Sequence, residues 1–381
     1  MDPRALIGPS SPLGLPAPYW FIAFFKVLGF VLHMVPMNLW YAGILVAMLV
    51  RGRGEHTRTW SDRLMRQMPV IIALGINFGI VPLLFIQVAY HQVFFPATIL
   101  MAWPWFAIIP MLAVAYYGVY LYASGLKEGG KGMTGLRRSS GWVAAALFFA
   151  IGFIFANGLS LMTNLKAWPG IWAHTSIAGA PTGTALNTSD PTLWPRWLMM
   201  FGLALTTTAA YAALDAGLFA VREGRAYRRW AGGFAFKLYV VGLVWFAAAG
   251  SWYVFGTWSD ALRREMFSGV RAPLTFLTAA GPGLVALLLA QRHRMSARGL
   301  AVACGVGQLA VLALNAVSRQ TVQNIELRPY LDVAAETVRL QASPLIVFLV
   351  LFVAGLAVVA WMVSRVAAAG REPASRGGLG G

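Results

Sequence analysis

Apolar residues gather into nine blocks along this chain, at roughly 20–44, 68–95, 98–123, 141–165, 194–221, 234–255, 272–290, 298–317 and 343–364. A helix of about 20 apolar residues crosses the hydrocarbon core of a bilayer, and each block is about that long. The pattern predicts an all-α fold: a polytopic membrane helical bundle of about nine transmembrane helices, forming one membrane domain over 19–366. A Pro-rich N-terminal segment, 1–18, precedes it, and a Gly-rich tail, 367–381, is expected to be disordered. Neither a basic region nor an A-x-A site stands before the first block, so that block is expected to be kept as a span.

Basic residues mark every second gap between blocks. Arg51, Arg53, Arg58, Arg63 and Arg66 fill the first gap, and Lys127, Lys131, Arg137 and Arg138 the third. Arg222, Arg225, Arg228 and Arg229 fill the fifth, Arg292, Arg294 and Arg298 the seventh, and Arg365, Arg371 and Arg376 follow the last block. Lys and Arg are retained on the cytoplasmic side. The N-terminus is therefore expected outside and the C-terminus inside, in a bacterial inner (cytoplasmic) membrane. The other gaps lie outside. Pro96 predicts a helix boundary between the second and third blocks. The stretch 166–196, rich in Pro, Gly, Thr and Asn, predicts a longer loop. The stretch 320–343 holds Glu326, Asp332 and Glu336 in a pattern that suits a short surface helix.

Composition agrees with this reading. The chain is 59% hydrophobic and 11% charged, against about 25% charged in a soluble domain. The net charge of +17 does not point to nucleic acid. Most of it lies in gaps that the topology rule and anionic lipid head groups already explain, so the partner it implies is the lipid bilayer. Cys304, the single cysteine, excludes an intramolecular disulfide and a C-x-x-C-H haem attachment, and reads as packing. No internal repeat or inverted duplication is visible, which speaks against a secondary transporter.

Polar groups in hydrocarbon need a partner or a purpose. Lys26 lies near the outer end of the first block with His33 two turns deeper, and Gln87 and His91 close the second. Asn157 falls in the outer half of the fourth, Arg271 opens the seventh, and Asn315 and Arg319 end the eighth. Such one-sided gathering suits a cofactor or a quinone head group near the outer surface; helix–helix hydrogen bonds, the alternative, need not collect on one side. His33 and His91, at similar depth, are candidates to hold a b-type haem, each with a plain hydrogen bond or solvation as the alternative. His56, His174 and His293 are expected to be solvated in loops. Asp215, in the inner part of the fifth block, is expected to pair with an arginine near Arg222 or to serve a proton path. Gly75-Ile76-Asn77-Phe78-Gly79 and Pro282-Gly283-Leu284 also read as close-packing features.

Nine spans with a histidine in the outer half of the first resemble subunit I of the cytochrome bd quinol oxidase family. Gly75-Ile76-Asn77-Phe78-Gly79 is similar to the family's Asn-Phe segment, Ala156-Asn157-Gly158 to its Ala-Asn-Gly, and Ser318-Arg319-Gln320 to its Gly-Arg-Gln-Pro-Trp; Arg271 opens the seventh span as the family's arginine does. On that pattern His33 matches the first-span haem ligand. Met199 stands about where the fifth-span histidine is expected, and the seventh-span methionine falls near Pro273. The third block has no glutamate where the family places two, and the gap before the seventh is too short for the family's quinol-binding loop. The resemblance thus implies a divergent member with incomplete haem ligands. It would carry one b-type haem on His33 with His91 or Met199, or a quinone, with Asn157 at the cofactor and Arg271 and Arg319 toward propionates or a partner. The implied function is that of a membrane subunit of a respiratory electron-transfer complex. It would exchange electrons between quinone and a periplasmic c-type cytochrome, beside a second membrane subunit, and would not itself reduce dioxygen. A haem-free membrane anchor or scaffold, and a proton-conducting subunit using Asp215, stand as alternatives.

Overall fold

The computed structural model describes residues 2–127, 133–292 and 297–369. Lys131, His293, Arg294 and the tail from 370 onward lie outside the described residues. Among those described, nine helices are long and apolar enough to cross a membrane: Tyr19–Arg53, Glu55–Leu100, Ala102–Lys127, Gly135–Thr163, Leu193–Phe219, Val221–Thr257, Arg271–Ala290, Arg298–Leu327 and Ala342–Met362. The protein is an all-α polytopic bundle. One end carries the N-terminal segment (the N-terminal face), and the other carries Arg51, Arg63, Arg66 and Arg228 (the arginine face).

Successive spans pack as antiparallel pairs, with the fifth against the sixth, the first against the second and the third against the fourth in most extensive contact. The fifth span is the axis of the bundle, with 61% of its apolar window buried, whereas the ninth has none. The ninth touches the body through Phe348 and Phe352, whose rings meet Phe25 at 4.9 and 5.2 Å. Gly54 alone joins the first two spans. Its φ of 156° is open only to a residue without a Cβ.

The second span differs from its predicted form. It continues through Pro96 to Leu100 as two helical segments joined by a kink at Tyr90 (φ −127°, ψ 25°). Proline removes one helical N–H and leaves the carbonyl four residues back without a partner. That carbonyl, on Gln92, is instead taken by the backbone N–H of Gly8 at 2.8 Å. The N-terminal segment thus repairs the ladder that Pro96 opens, and the boundary falls at Met101. The eighth span also outruns its apolar block and ends at Leu327, which puts Glu326 inside it. The surface helix expected beyond is a single 3-10 turn, Val333–Ala335, capped by the Asp332 carboxylate. This segment pairs with the N-terminal one, Leu15 N–H donating to Thr337 O at 2.8 Å.

Gly75 and Gly79 let the first span press against the second. A Cβ on Gly75 would strike the Trp40 ring, and one on Gly79 would lie 2.8 Å from the His33 ring. The Gly-Ile-Asn-Phe-Gly sequence therefore works as a small-xxx-small contact.

Candidate functional site at the N-terminal face

A polar network occupies the junction of the first, second and eighth spans near the N-terminal face. Tyr19 and Tyr90 share a hydrogen bond at 2.7 Å, Tyr90 donates to Asn324 Oδ1 at 2.5 Å, and Asn324 Nδ2 donates to Tyr19 at 2.7 Å. Gln320 Nε2 donates to Tyr90 at 2.6 Å. Lys26 Nζ donates to Gln320 Oε1 at 2.7 Å and sits 4.3 Å above the Tyr90 ring. Lys26 is 8% exposed, and no carboxylate pairs with it among the described residues. Arg319 is likewise without an acid there and lies 4.7 Å from the Phe30 ring centre. A buried cation without a counter-ion is costly; here amide oxygens and aromatic faces supply the compensation.

Beside this network opens a cleft of about 190 Å³, lined by Tyr90, Arg271, Asn324, Arg328, Asp332 and Val333 among others. Arg271 Nη1 and Arg328 Nη2 share one oxygen of Glu265, at 3.2 and 2.9 Å. Each guanidinium has five N–H donors, so both keep donors beyond those spent on Glu265. Ile325, Leu331 and Val333 add apolar lining beside the polar Thr321, Asn324 and Asp332.

His33 is placed elsewhere. Its Nδ1 lies 2.8 Å from Gly75 O; a carbonyl only accepts, so Nδ1 carries the proton and Nε2 keeps its lone pair. That is the tautomer a metal ligand needs. The rest of a haem site is not gathered around it. The His33 ring packs at Gly79, and His91 is twelve residues further along the same helix, about 18 Å at 1.5 Å per residue. The expected common depth of the two histidines is thus corrected: Tyr90, beside His91, meets Tyr19, fourteen positions before His33. His91 Nε2 is buried with no hydrogen-bond partner among the described residues. Met199 faces the sixth span, its sulfur beside Gly250. His33 and His91, so separated, do not fit one haem between them.

Asn157 is fully buried, and its Oδ1 accepts the backbone N–H of Asn187 at 3.0 Å. With Ser160 and Asn187 on the Asp190 carboxylate, it pins the loop between the fourth and fifth spans. Asn157→Ala is expected to cost about 1–3 kcal/mol, the penalty of stranding a buried donor; faster limited proteolysis within 176–186 would register the loosened loop.

Asp215 is paired as expected but with a different arginine. Arg63 Nε and Nη2 grip its two oxygens at 2.8 and 2.6 Å, and Arg63 Nη1 reaches Glu223 at 2.9 Å. Asp215 begins a π-helical turn, Asp215–Phe219, whose freed carbonyls on Ala216 and Gly217 accept from Arg228. A second polar group went unforeseen in the bundle centre: Asn38 donates to Thr207 at 2.9 Å, Gln308 to Thr206 and Thr207, and Tyr239 to Gln308 at 2.8 Å. The run Thr206-Thr207-Thr208 inside an apolar block was its sequence signal. Arg196, which bonds Glu326 at 2.8 Å and Tyr253 at 2.8 Å, was equally visible as a charge at a span entrance.

No protein-family model and no curated protein matches the chain. Among solved structures, the bd oxidase from Geobacillus thermodenitrificans is similar, with a TM-score of 0.61 at 12% identity, covering 98% of this chain and 99% of that one. The bundle therefore has a bd-oxidase-like fold from end to end.

Proposed function

We propose that this chain is a membrane subunit of a respiratory electron-transfer complex in a bacterial inner membrane. It binds a quinone head group in the cleft at the N-terminal face and works with haems held by its partners. The cleft carries the reading: guanidinium donors of Arg271 and Arg328 suit a quinone carbonyl, and the apolar lining of Ile325, Leu331 and Val333 suits the ring. The electron acceptor is then a c-type cytochrome on the outer side, with a second membrane subunit completing the complex. It receives two electrons singly as quinol becomes quinone and two protons leave. The bd-oxidase-like fold supports membership in such a complex, and the separation of His33 from His91 supports assigning the haems to other chains.

Binding of decylubiquinone to the purified chain, followed by calorimetry, tests this. Arg271→Ala with Arg328→Ala is expected to weaken binding at least tenfold, as the loss of charge-assisted hydrogen bonds of about 1.5–3 kcal/mol requires. A pyridine haemochrome assay on the same sample, wild type beside His33→Leu, is expected to show no b-type haem. A b-type signal that vanishes in His33→Leu would replace this reading with a haem-carrying one, and absence of quinone binding would leave the scaffold and the proton-conducting readings.

A further inference from the structure

Among the described residues that line the cleft at the N-terminal face, Asp332 alone carries a carboxylate. Its Oδ1 accepts the backbone N–H of Ala334 at 3.1 Å, and no cation pairs with it among the described residues. The other polar side chains of the lining are committed to their own neighbours. Asn324 Oδ1 accepts from Tyr90 at 2.5 Å and from Gln320 at 2.9 Å, and its Nδ2 donates to Tyr19 at 2.7 Å. Thr321 gives its proton to Val317 O at 2.9 Å. The segment that carries Asp332 is tied to the N-terminal one: Leu15 N–H donates to Thr337 O at 2.8 Å, Arg339 N–H to Leu15 O at 2.9 Å and Gln341 N–H to Pro16 O at 3.0 Å. The cleft therefore offers a ligand two kinds of charged partner, the spare N–H donors of Arg271 and Arg328 and a carboxylate acceptor. Both guanidiniums are matched in charge by Glu265, which they share, and Asp332, so a neutral ligand keeps the balance.

We infer, resting on the quinone reading of the cleft, that Asp332 makes it select the reduced ligand, a quinol over the quinone. A quinone presents two carbonyl oxygens, which only accept. A quinol presents two hydroxyls, which also donate. Guanidinium N–H groups bond either kind of oxygen, but a carboxylate only accepts. Asp332 thus gains a charge-assisted bond from a quinol hydroxyl, whereas it meets a quinone carbonyl with lone pair against lone pair. A site built to hydrogen-bond a hydroxyl rejects the analogue that lacks one. Selection of this sign holds the electron-donating form and lets the oxidised form leave. Asp332 is exposed, so water competes for it, and the preference is expected at the low end for a bond to a charged group, about tenfold.

Calorimetry on the purified chain tests this, with decylubiquinol under argon beside decylubiquinone. Wild type is expected to bind the quinol about tenfold more tightly than the quinone. Asp332→Asn keeps an oxygen for the Ala334 N–H, so the turn stays capped, and puts an amide donor in place of the second carboxylate oxygen. The variant should therefore bind the quinol about tenfold more weakly than wild type, and the quinone more tightly. Equal affinity of wild type for the two forms overturns the inference and leaves the quinone site standing, as does a quinol preference that survives in Asp332→Asn. Equal weakening of both forms in the variant also overturns it, since Asp332 then acts only as a cap. Binding of neither form to wild type ends the quinone reading, and the inference with it.

Discussion

Replacing Arg63 by alanine is expected to destabilise the folded chain by about 3–5 kcal/mol, because it strands a carboxylate that the bundle has already removed from water. The Asp215 side chain is 2% exposed, and both of its oxygens are held by the Arg63 fork. A buried pair need not stabilise a protein relative to an apolar pair, yet breaking one from a single side is expensive. Asp215→Asn should therefore cost less, about 2 kcal/mol for lost charge-assisted hydrogen bonds, since Arg63 keeps Glu223. Arg63→Leu combined with Asp215→Leu should recover part of the loss, and a double-mutant cycle on thermal unfolding in detergent would quantify the coupling. The same variants address proton conduction. With Asp215 clamped in a bidentate pair, Asp215→Asn is expected to leave proton flux in vesicles unchanged; abolished flux in a folded variant would restore the proton-path reading.

The spans were legible in the sequence because an apolar block of bilayer length has one stable outcome, and the bundle follows the blocks. Their ends were less legible, for two physical reasons. The eighth span continues past its apolar block because Gln320, Gln323 and Asn324 turn inward to Lys26, Tyr90 and Tyr19; hydropathy cannot distinguish a polar residue with a buried partner from one in a loop. The second span continues past Pro96 because a segment more than eighty residues earlier supplies the missing donor. The candidate site was half legible. The gathering of Lys26, Arg271 and Arg319 toward one end could be counted from the sequence. What could not be counted was which groups meet, since Lys26 finds its partners nearly 300 positions away. His33, the residue that resemblance favoured most, lies deeper than that gathering and is held by Gly75.

Enlarging Gly242 by more than a methyl is expected to do more damage than any charge change, because its neighbour is main chain. The fifth and sixth spans cross with backbone on backbone: a Cβ at Gly202 would sit 2.6 Å from the Phe246 nitrogen, and one at Gly242 would sit 2.8 Å from the Thr206 nitrogen. A side-chain end can swing aside, but a helix backbone moves only as a whole. Gly242→Ala must push the spans apart at their closest point, at about 1–3 kcal/mol for an added methyl in a packed interior. Gly242→Leu has no room at all and should prevent accumulation of folded protein, because the fifth span is the one on which the others pack. The sixth span contains its own control. Gly233 has open space where a Cβ would go, so Gly233→Ala should be neutral or stabilising by up to about 1 kcal/mol, the helix-propensity difference. Melting temperatures of the two alanine variants, measured by fluorescence-detected size exclusion after heating, should therefore move in opposite directions. A shift of the same sign and size at both positions would mean that propensity, and not the backbone contact, governs this helix pair.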